Sequence, residues 1–217
     1  MINLNFGGFI APSTVDWFGV STAVVFFRGC ALGCKDCQNP TLLSGENIVS
    51  TRGVKYRILE AAPFISGVVF SGGEPCLQID PLIDLLDWCR KHNLKTFLHT
   101  SGFHPYNLRR IIDKLDGVRI DFKPRGQLDY DKYESYCEAF VKSMVTVKSS
   151  NVEYWLSTVA LRNNEGLKYV YKILDFDPKR ILIVQGNEEH PKTVQEMKKE
   201  FPGCFLYTKE EGLKWNE

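Results

Sequence analysis

The stretch Phe26–Pro40, FFRGCALGCKDCQNP, sets Cys30, Cys34 and Cys37 in a C-x3-C-x2-C spacing, directly after the β-branched and aromatic run Thr22–Phe27. Three thiols this close do not read as a disulfide framework in a 217-residue chain with seven cysteines and no secretory pattern at its amino end, MINLNFGGFIAPS. Metal chemistry is the better reading. A structural zinc site would need a fourth ligand, with Cys76 or a histidine as candidates, and zinc motifs more often pair C-x2-C with a second distant pair that this chain lacks. Three sulfurs suit a [4Fe-4S] cluster in which one iron is left unclaimed by protein, an open position where a substrate or cofactor can bind. Gly29 and Gly33 give the loop its tight turns and close backbone approach.

Working outward from this loop, short β-rich runs recur at Thr22–Phe27, Gly67–Phe70, Lys95–Thr100, Val118–Asp121, Glu153–Ala160, Arg180–Val184 and Phe205–Tyr207. Helical periods alternate with them. Leu82, Leu85, Leu86 and Cys89 form one apolar stripe; Leu108, Ile111, Ile112 and Leu115 a second. Tyr133, Cys137, Phe140 and Val141 form a third, and Leu167, Val170, Tyr171 and Leu174 a fourth. Strands such as GVVF and RILIV have no polar alternate, as expected when both faces are covered. The fold class is therefore α/β, a parallel sheet with outer helices curled into a partial barrel, in which chemistry gathers at the carboxyl ends of strands.

The bulk numbers fit this picture and add few partners. A length of 217 residues with 44% apolar content suits one globular domain over 1–217. Lys and Arg number 27 against 26 for Asp and Glu, so a formal charge of +1 argues for neither a nucleic-acid nor an anionic-membrane partner. No apolar run approaches membrane-spanning length, and the expected localisation is cytoplasmic.

The cysteine loop (28–40), followed after the next strand by FSGGEP at Phe70–Pro75, resembles the radical S-adenosylmethionine superfamily. Upstream STVDWFG, Ser13–Gly19, and CQNP, Cys37–Pro40, are similar to the activating enzymes of glycyl-radical proteins, in particular the anaerobic ribonucleoside-triphosphate reductase branch. The resemblance implies a partial (β/α)6 barrel and a [4Fe-4S] cluster held by Cys30, Cys34 and Cys37. It also implies S-adenosylmethionine bound at the open iron and at strand ends 70–76, 98–102 and 120–124. On the same basis Gly72, Gly73, Glu74 and Pro75 match the segment that meets the methionine amino group. Thr100 and Ser101 in LHTSG are candidates for the ribose or methionine carboxylate, and His99 stands where relatives carry an acid. Asp121 and Lys123 in IDFKP match a D-x-K element and project to one side of a strand, with Lys123 placed in the catalytic set.

Asn39, beside the last cluster cysteine, and Gln185, after a strand, complete the cofactor candidates; Arg162 also follows a strand. Cys76, Cys89 and Cys137 read as small buried side chains. The pattern departs from its relatives at Trp17 and Phe18, expected to reshape a partner surface, and at Asp36, which precedes Cys37 where many carry an aromatic. The function implied is reductive cleavage of S-adenosylmethionine to form a glycyl radical on a partner enzyme, with a flavodoxin or ferredoxin as electron donor. Two alternatives stand beside it: a small-molecule radical enzyme like 7-carboxy-7-deazaguanine synthase, and a non-enzymatic metal or electron-carrier module.

Overall fold

The β-branched run Thr22–Phe27 forms a strand that is buried along nearly its whole length, and every other feature of the site is placed relative to it. The computed structural model describes residues 2–35, 37–160, 181–185, 199, 205–208 and 212–215. In chain order the strands are β1 (Asn3–Ser13), β2 (Thr22–Phe27), β3 (Ile48–Ser50), β4 (Gly67–Gly72), β5 (Lys95–Thr100), β6 (Gly117–Phe122), β7 (Glu153–Ala160), β8 (Ile181–Gln185), β9 (Phe205–Thr208) and β10 (Gly212–Trp215). The helices among the described residues are α1 (Thr51–Ala61), α2 (Ile79–Lys91), α3 (Pro105–Ile111) and α4 (Tyr130–Lys148).

All ten strands join one sheet in the order β10-β9-β8-β7-β6-β5-β4-β2-β1-β3. From β2 through β9 every pairing is parallel, while β1, β3 and β10 are added antiparallel at the two ends. The expected parallel α/β sheet is present, with the cysteine loop leaving the carboxyl end of β2. Strand limits at β2, β5 and β7 coincide with the sequence reading. The fourth predicted stripe, Arg162 and Cys204 lie outside the described residues.

Side-chain alternation divides the sheet into two faces. One carries Val25, Phe27, Val68, Phe70, Leu98 and Val118, which pack beneath α1 and α2 through Val54, Ile58, Leu82 and Leu86. A second cluster seats α4 on β6 and β7 and reaches the cysteine loop: Tyr136, Phe140 and Met144 meet Ile120, Phe122, Leu156 and Leu32. The stripe α4 buries is Tyr136, Phe140, Ser143, Met144 and Val147, rotated from the one read in the sequence, and Val141 is exposed. Ser143 accounts for the rotation, because its hydroxyl is buried and donates to the Gly102 carbonyl at 2.6 Å.

The opposite face is the interior of the partial barrel, and aromatic groups close it at the amino ends of the strands. Trp17 is 4% exposed and packs on Phe97, with ring centroids 4.7 Å apart, next to Val24 and Val69. Phe18 meets Trp155 edge-on at 5.4 Å. The loop expected to shape a partner surface thus puts Trp17 into the barrel floor, because an indole there fills the space left by Gly67 on β4.

Candidate active site at the carboxyl ends of the strands

The glycine segment is built onto the cysteine loop by backbone alone. Gly73 N–H donates to the Phe27 carbonyl at 2.8 Å, and Glu74 N–H donates to the Gly29 carbonyl at 2.8 Å. A Cβ on Gly73 would stand 2.3 Å from the Gly29 carbonyl oxygen, and one on Gly72, whose φ is +117°, would stand 2.3 Å from that of Phe27. Only glycine fits at either place. Arg28 then straps the returning half of the loop by donating from Nη1 to the carbonyls of Thr41 and Ser44 at 2.6 and 3.0 Å.

These contacts bring Cys30, Cys34 and Cys37 to one cavity together with Asn39, Gly72 and Gly73. Residues at and just past the ends of the next strands line the same cavity: Ser71, His99, Thr100, Ser101, Asp121 and Lys123. Of the strand-end and loop candidates whose side chains are described, all but Glu74 and Pro75 therefore meet in one place. Glu74 and Pro75 are buried outside the cavity wall. Gln185 ends β8, opposite Ala160 of β7.

Glu74 is 1% exposed, and both its carboxylate oxygens are committed internally. Oε1 accepts from the Thr100 hydroxyl at 2.8 Å and Cys76 N–H at 3.1 Å; Oε2 accepts from Ser101 N–H at 2.9 Å and the Ser101 hydroxyl at 2.5 Å. Its place is therefore structural, a carboxylate tying the end of β4 to the end of β5. Cys76 is buried, as read from sequence, and burial pushes its thiol well above the ordinary range, with the Glu74 charge adding to the rise.

His99 is 5% exposed, with Nδ1 3.3 Å from Ser71 Oγ and Nε2 3.0 Å from the Asp16 carbonyl. Burial holds its imidazole well below the usual histidine range, and the Arg119 charge lowers it further, so the ring is neutral near pH 7. Lys123 Nζ lies 3.8 Å from Asp121 Oδ2, so the D-x-K pair forms as predicted. Burial alone would lower this ammonium; Asp121, Cys34 and Cys30 outweigh it and the net shift is upward.

Three neighbours went unnoticed in the sequence. Tyr136 on α4 braces the D-x-K backbone, accepting from Lys123 N–H at 2.8 Å and donating to the Asp121 carbonyl at 3.0 Å. Arg119 lies on the same inward row as Asp121 and Lys123 and lines the cavity, as does Ser157 from β7. The V-R-I-D-F-K alternation that puts Asp121 and Lys123 on one side includes Arg119 as well.

The donor set fits a cluster better than a single ion. Among the described residues no three His, Cys, Asp or Glu side chains gather closely enough to hold one metal ion, whereas in a cluster each sulfur takes a different iron. Burial raises the Cys30 thiol and pushes that of Cys34 up to about 11. Thiols held neutral in this way become thiolates when a cationic metal binds. Backbone N–H groups of Leu32 and Gly33 already point at the Cys30 sulfur and favour its anionic form.

Comparison with known proteins agrees with this geometry. A family profile described as a 4Fe-4S single cluster domain matches residues 18–143. The chain is 32% identical over 155 residues to a pyruvate formate-lyase-activating enzyme of Clostridium pasteurianum, covering 67% of this chain and 63% of that protein. Across three of the curated relatives it matches, the chain spans 41% to 63% of their length. Among solved structures, QueE from Escherichia coli superposes with a TM-score of 0.58 at 18% identity, over 91% of this chain and 89% of that one. Native anSMEcpe, solved with bound AdoMet and a peptide, gives 0.62 at 18% identity over 80% and 55%. Both likenesses are of fold. With a cluster profile matched over more than half its length, on a partial barrel whose cysteine loop and glycine segment share one cavity, the chain belongs to the 4Fe-4S single cluster domain family of the radical S-adenosylmethionine superfamily.

Proposed function

We propose that this chain is a single-cluster activase that forms a glycyl radical on a partner enzyme. The observation that carries the reading is the convergence of Cys30, Cys34 and Cys37 with the glycine segment and the Asp121–Lys123 pair on one cavity. Its likeness to a pyruvate formate-lyase-activating enzyme supports a protein substrate. Cys30, Cys34 and Cys37 would hold a [4Fe-4S] cluster, which when bound would supply the electron for reductive cleavage of S-adenosylmethionine and so the radical chemistry at a glycine.

The chain's own part is to bind and orient. Gly72 and Gly73 bring backbone to the cavity surface with no side chain in the way, and the Gly72 carbonyl is held by Asn39 Nδ2 at 3.4 Å. Ser71 supplies a hydroxyl at the end of β4, those of Thr100 and Ser101 being donated to Glu74, and Lys123 supplies a half-buried positive charge opposite the cysteines. The finer reading is that the partner is an anaerobic ribonucleotide reductase and that a flavodoxin or ferredoxin delivers the electron.

The test is anaerobic reconstitution with iron and sulfide, followed by reduction with dithionite and addition of S-adenosylmethionine. Formation of 5′-deoxyadenosine and methionine is expected, and a C34A variant should lose both the product and most of the bound iron. Addition of the candidate reductase should give a glycine-centred radical by electron paramagnetic resonance. Turnover of a tetrahydropterin with no radical on any protein would overturn the protein-substrate assignment.

A further inference from the structure

The cavity contains a charged side chain that the reaction proposed above does not use. Arg119 lies two residues before Asp121 on β6, in register with His99 on β5 and Trp155 on β7. It borders the cavity above and, below, the aromatic floor of Trp17, Phe18, Phe97 and Trp155. Its Nε is 3.6 Å from Asp121 Oδ1, an ion pair longer than a hydrogen bond, and this buried N–H has no hydrogen-bond partner. Ser157 Oγ, on the residue in register with Asp121, is buried on the same cavity and also has none. Buried polar atoms are normally satisfied, so two open ones on one wall point to a ligand atom that both would meet.

The charges on this wall support the same reading. Among the described residues Asp121 is the one carboxylate lining the cavity, since Glu74 is spent on Thr100, Ser101 and Cys76. Both ring nitrogens of His99 are engaged. Asp121 is half-buried and faces two covalently fixed cations, Arg119 at 3.6 Å and Lys123 at 3.8 Å. Two cations against one carboxylate leave this trio with one positive charge to offer an acceptor.

We propose that Arg119 is the fixed cation of the cavity. As a positioning residue it neutralises and orients Asp121, and it presents its open Nε–H, with the Ser157 hydroxyl, to a carboxylate oxygen of the bound ligand. Binding then draws on no dissolved cation. The inference rests on S-adenosylmethionine as that ligand.

The test is calorimetric titration of unreduced, cluster-loaded protein with S-adenosylmethionine in potassium, sodium or choline chloride. Wild-type affinity should agree within about twofold across the three salts. Arg119→Met should bind at least about tenfold more weakly and recover in part when potassium or sodium replaces choline, while Arg119→Lys should stay within about threefold of wild type. Wild-type binding that fails in choline alone, or unchanged binding by Arg119→Met, would overturn the assignment.

Failure of wild type to bind in any salt overturns the proposed ligand instead, and Arg119 is then judged on folding alone. Arg119→Met should destabilise the protein, and once Arg119 is gone Asp121→Asn should cost less than it does in wild type, because the 3.6 Å ion pair is already lost; additive losses in the double variant would refute the fixed-cation role.

Discussion

Glu74 shows how a residue read for one task can serve another. Its four acceptor contacts leave it no free edge toward a ligand. Glu74→Gln would turn an amide N–H2 against one of these donors. A loss of about 2–3 kcal/mol is expected from charge-assisted bonds in a buried setting, seen as a lower urea midpoint. His99 gives a prediction with a sign in pH. Above its ordinary pKa of about 6.5 the folded and unfolded chains both hold it neutral, and it contributes no pH dependence. As pH falls below that value the unfolded chain takes a proton that the buried ring resists, so stability drops at up to about 1.4 kcal/mol per pH unit. Denaturation of wild type and His99→Gln at pH 8 and pH 5 checks this, with the acid-side loss expected to be smaller in the variant.

At the scale of elements, the close approach of β4's end to the cysteine loop is the most exacting contact in the site. Gly73→Ala puts a methyl 2.3 Å from the Gly29 carbonyl oxygen, where backbone must move, and the reconstituted protein should retain well under half its iron. Gly53, on α1 with open space around its Cβ position, is the control: Gly53→Ala should leave iron content unchanged and raise stability by about 0.5–1 kcal/mol.

The same comparison shows what was legible from sequence. The parallel strands were readable because their apolar runs are continuous. β1, NLNFGGFIAPS, was not, because paired glycines and a proline break its alternation while its register shifts against β2. Helix α1 was obscured by Gly53 and by an apolar stripe reduced to Val54 and Ile58. In the site, spacing pointed to the three cysteines, whereas Gly72, Gly73, Asp121 and Lys123 were singled out by the resemblance of FSGGEP and IDFKP to family motifs. Glu74's inward turn was hidden because its partners arrive from a strand 26 residues later.

Across the whole molecule, the barrel interior is occupied from the floor upward: aromatic side chains at the amino ends, charged and hydroxyl groups in the middle, thiols at the mouth. Trp17→Ala should cost about 3–5 kcal/mol by emptying the floor, measured by thermal or urea unfolding. Because Trp17 borders Phe97 and Gly67 and not the cavity, the folded fraction should still bind S-adenosylmethionine. Among the described residues no helix is long and apolar enough to cross a membrane.

The knot that Glu74 makes between β4 and β5 also divides compliance unequally around the mouth. Those two strand ends must shift as one body or not at all. Among the described residues from Ala31 to Gln38, the backbone bonds that tie the lip are Lys35 N–H to the Gln127 carbonyl, Cys37 N–H to that of Cys34, and the N–H groups of Leu32 and Gly33 to the Cys30 sulfur. Adjustment to an arriving macromolecule therefore falls on the thiol-bearing lip, and deuterium uptake should be fast there while the amides of Cys76 and Ser101 stay protected.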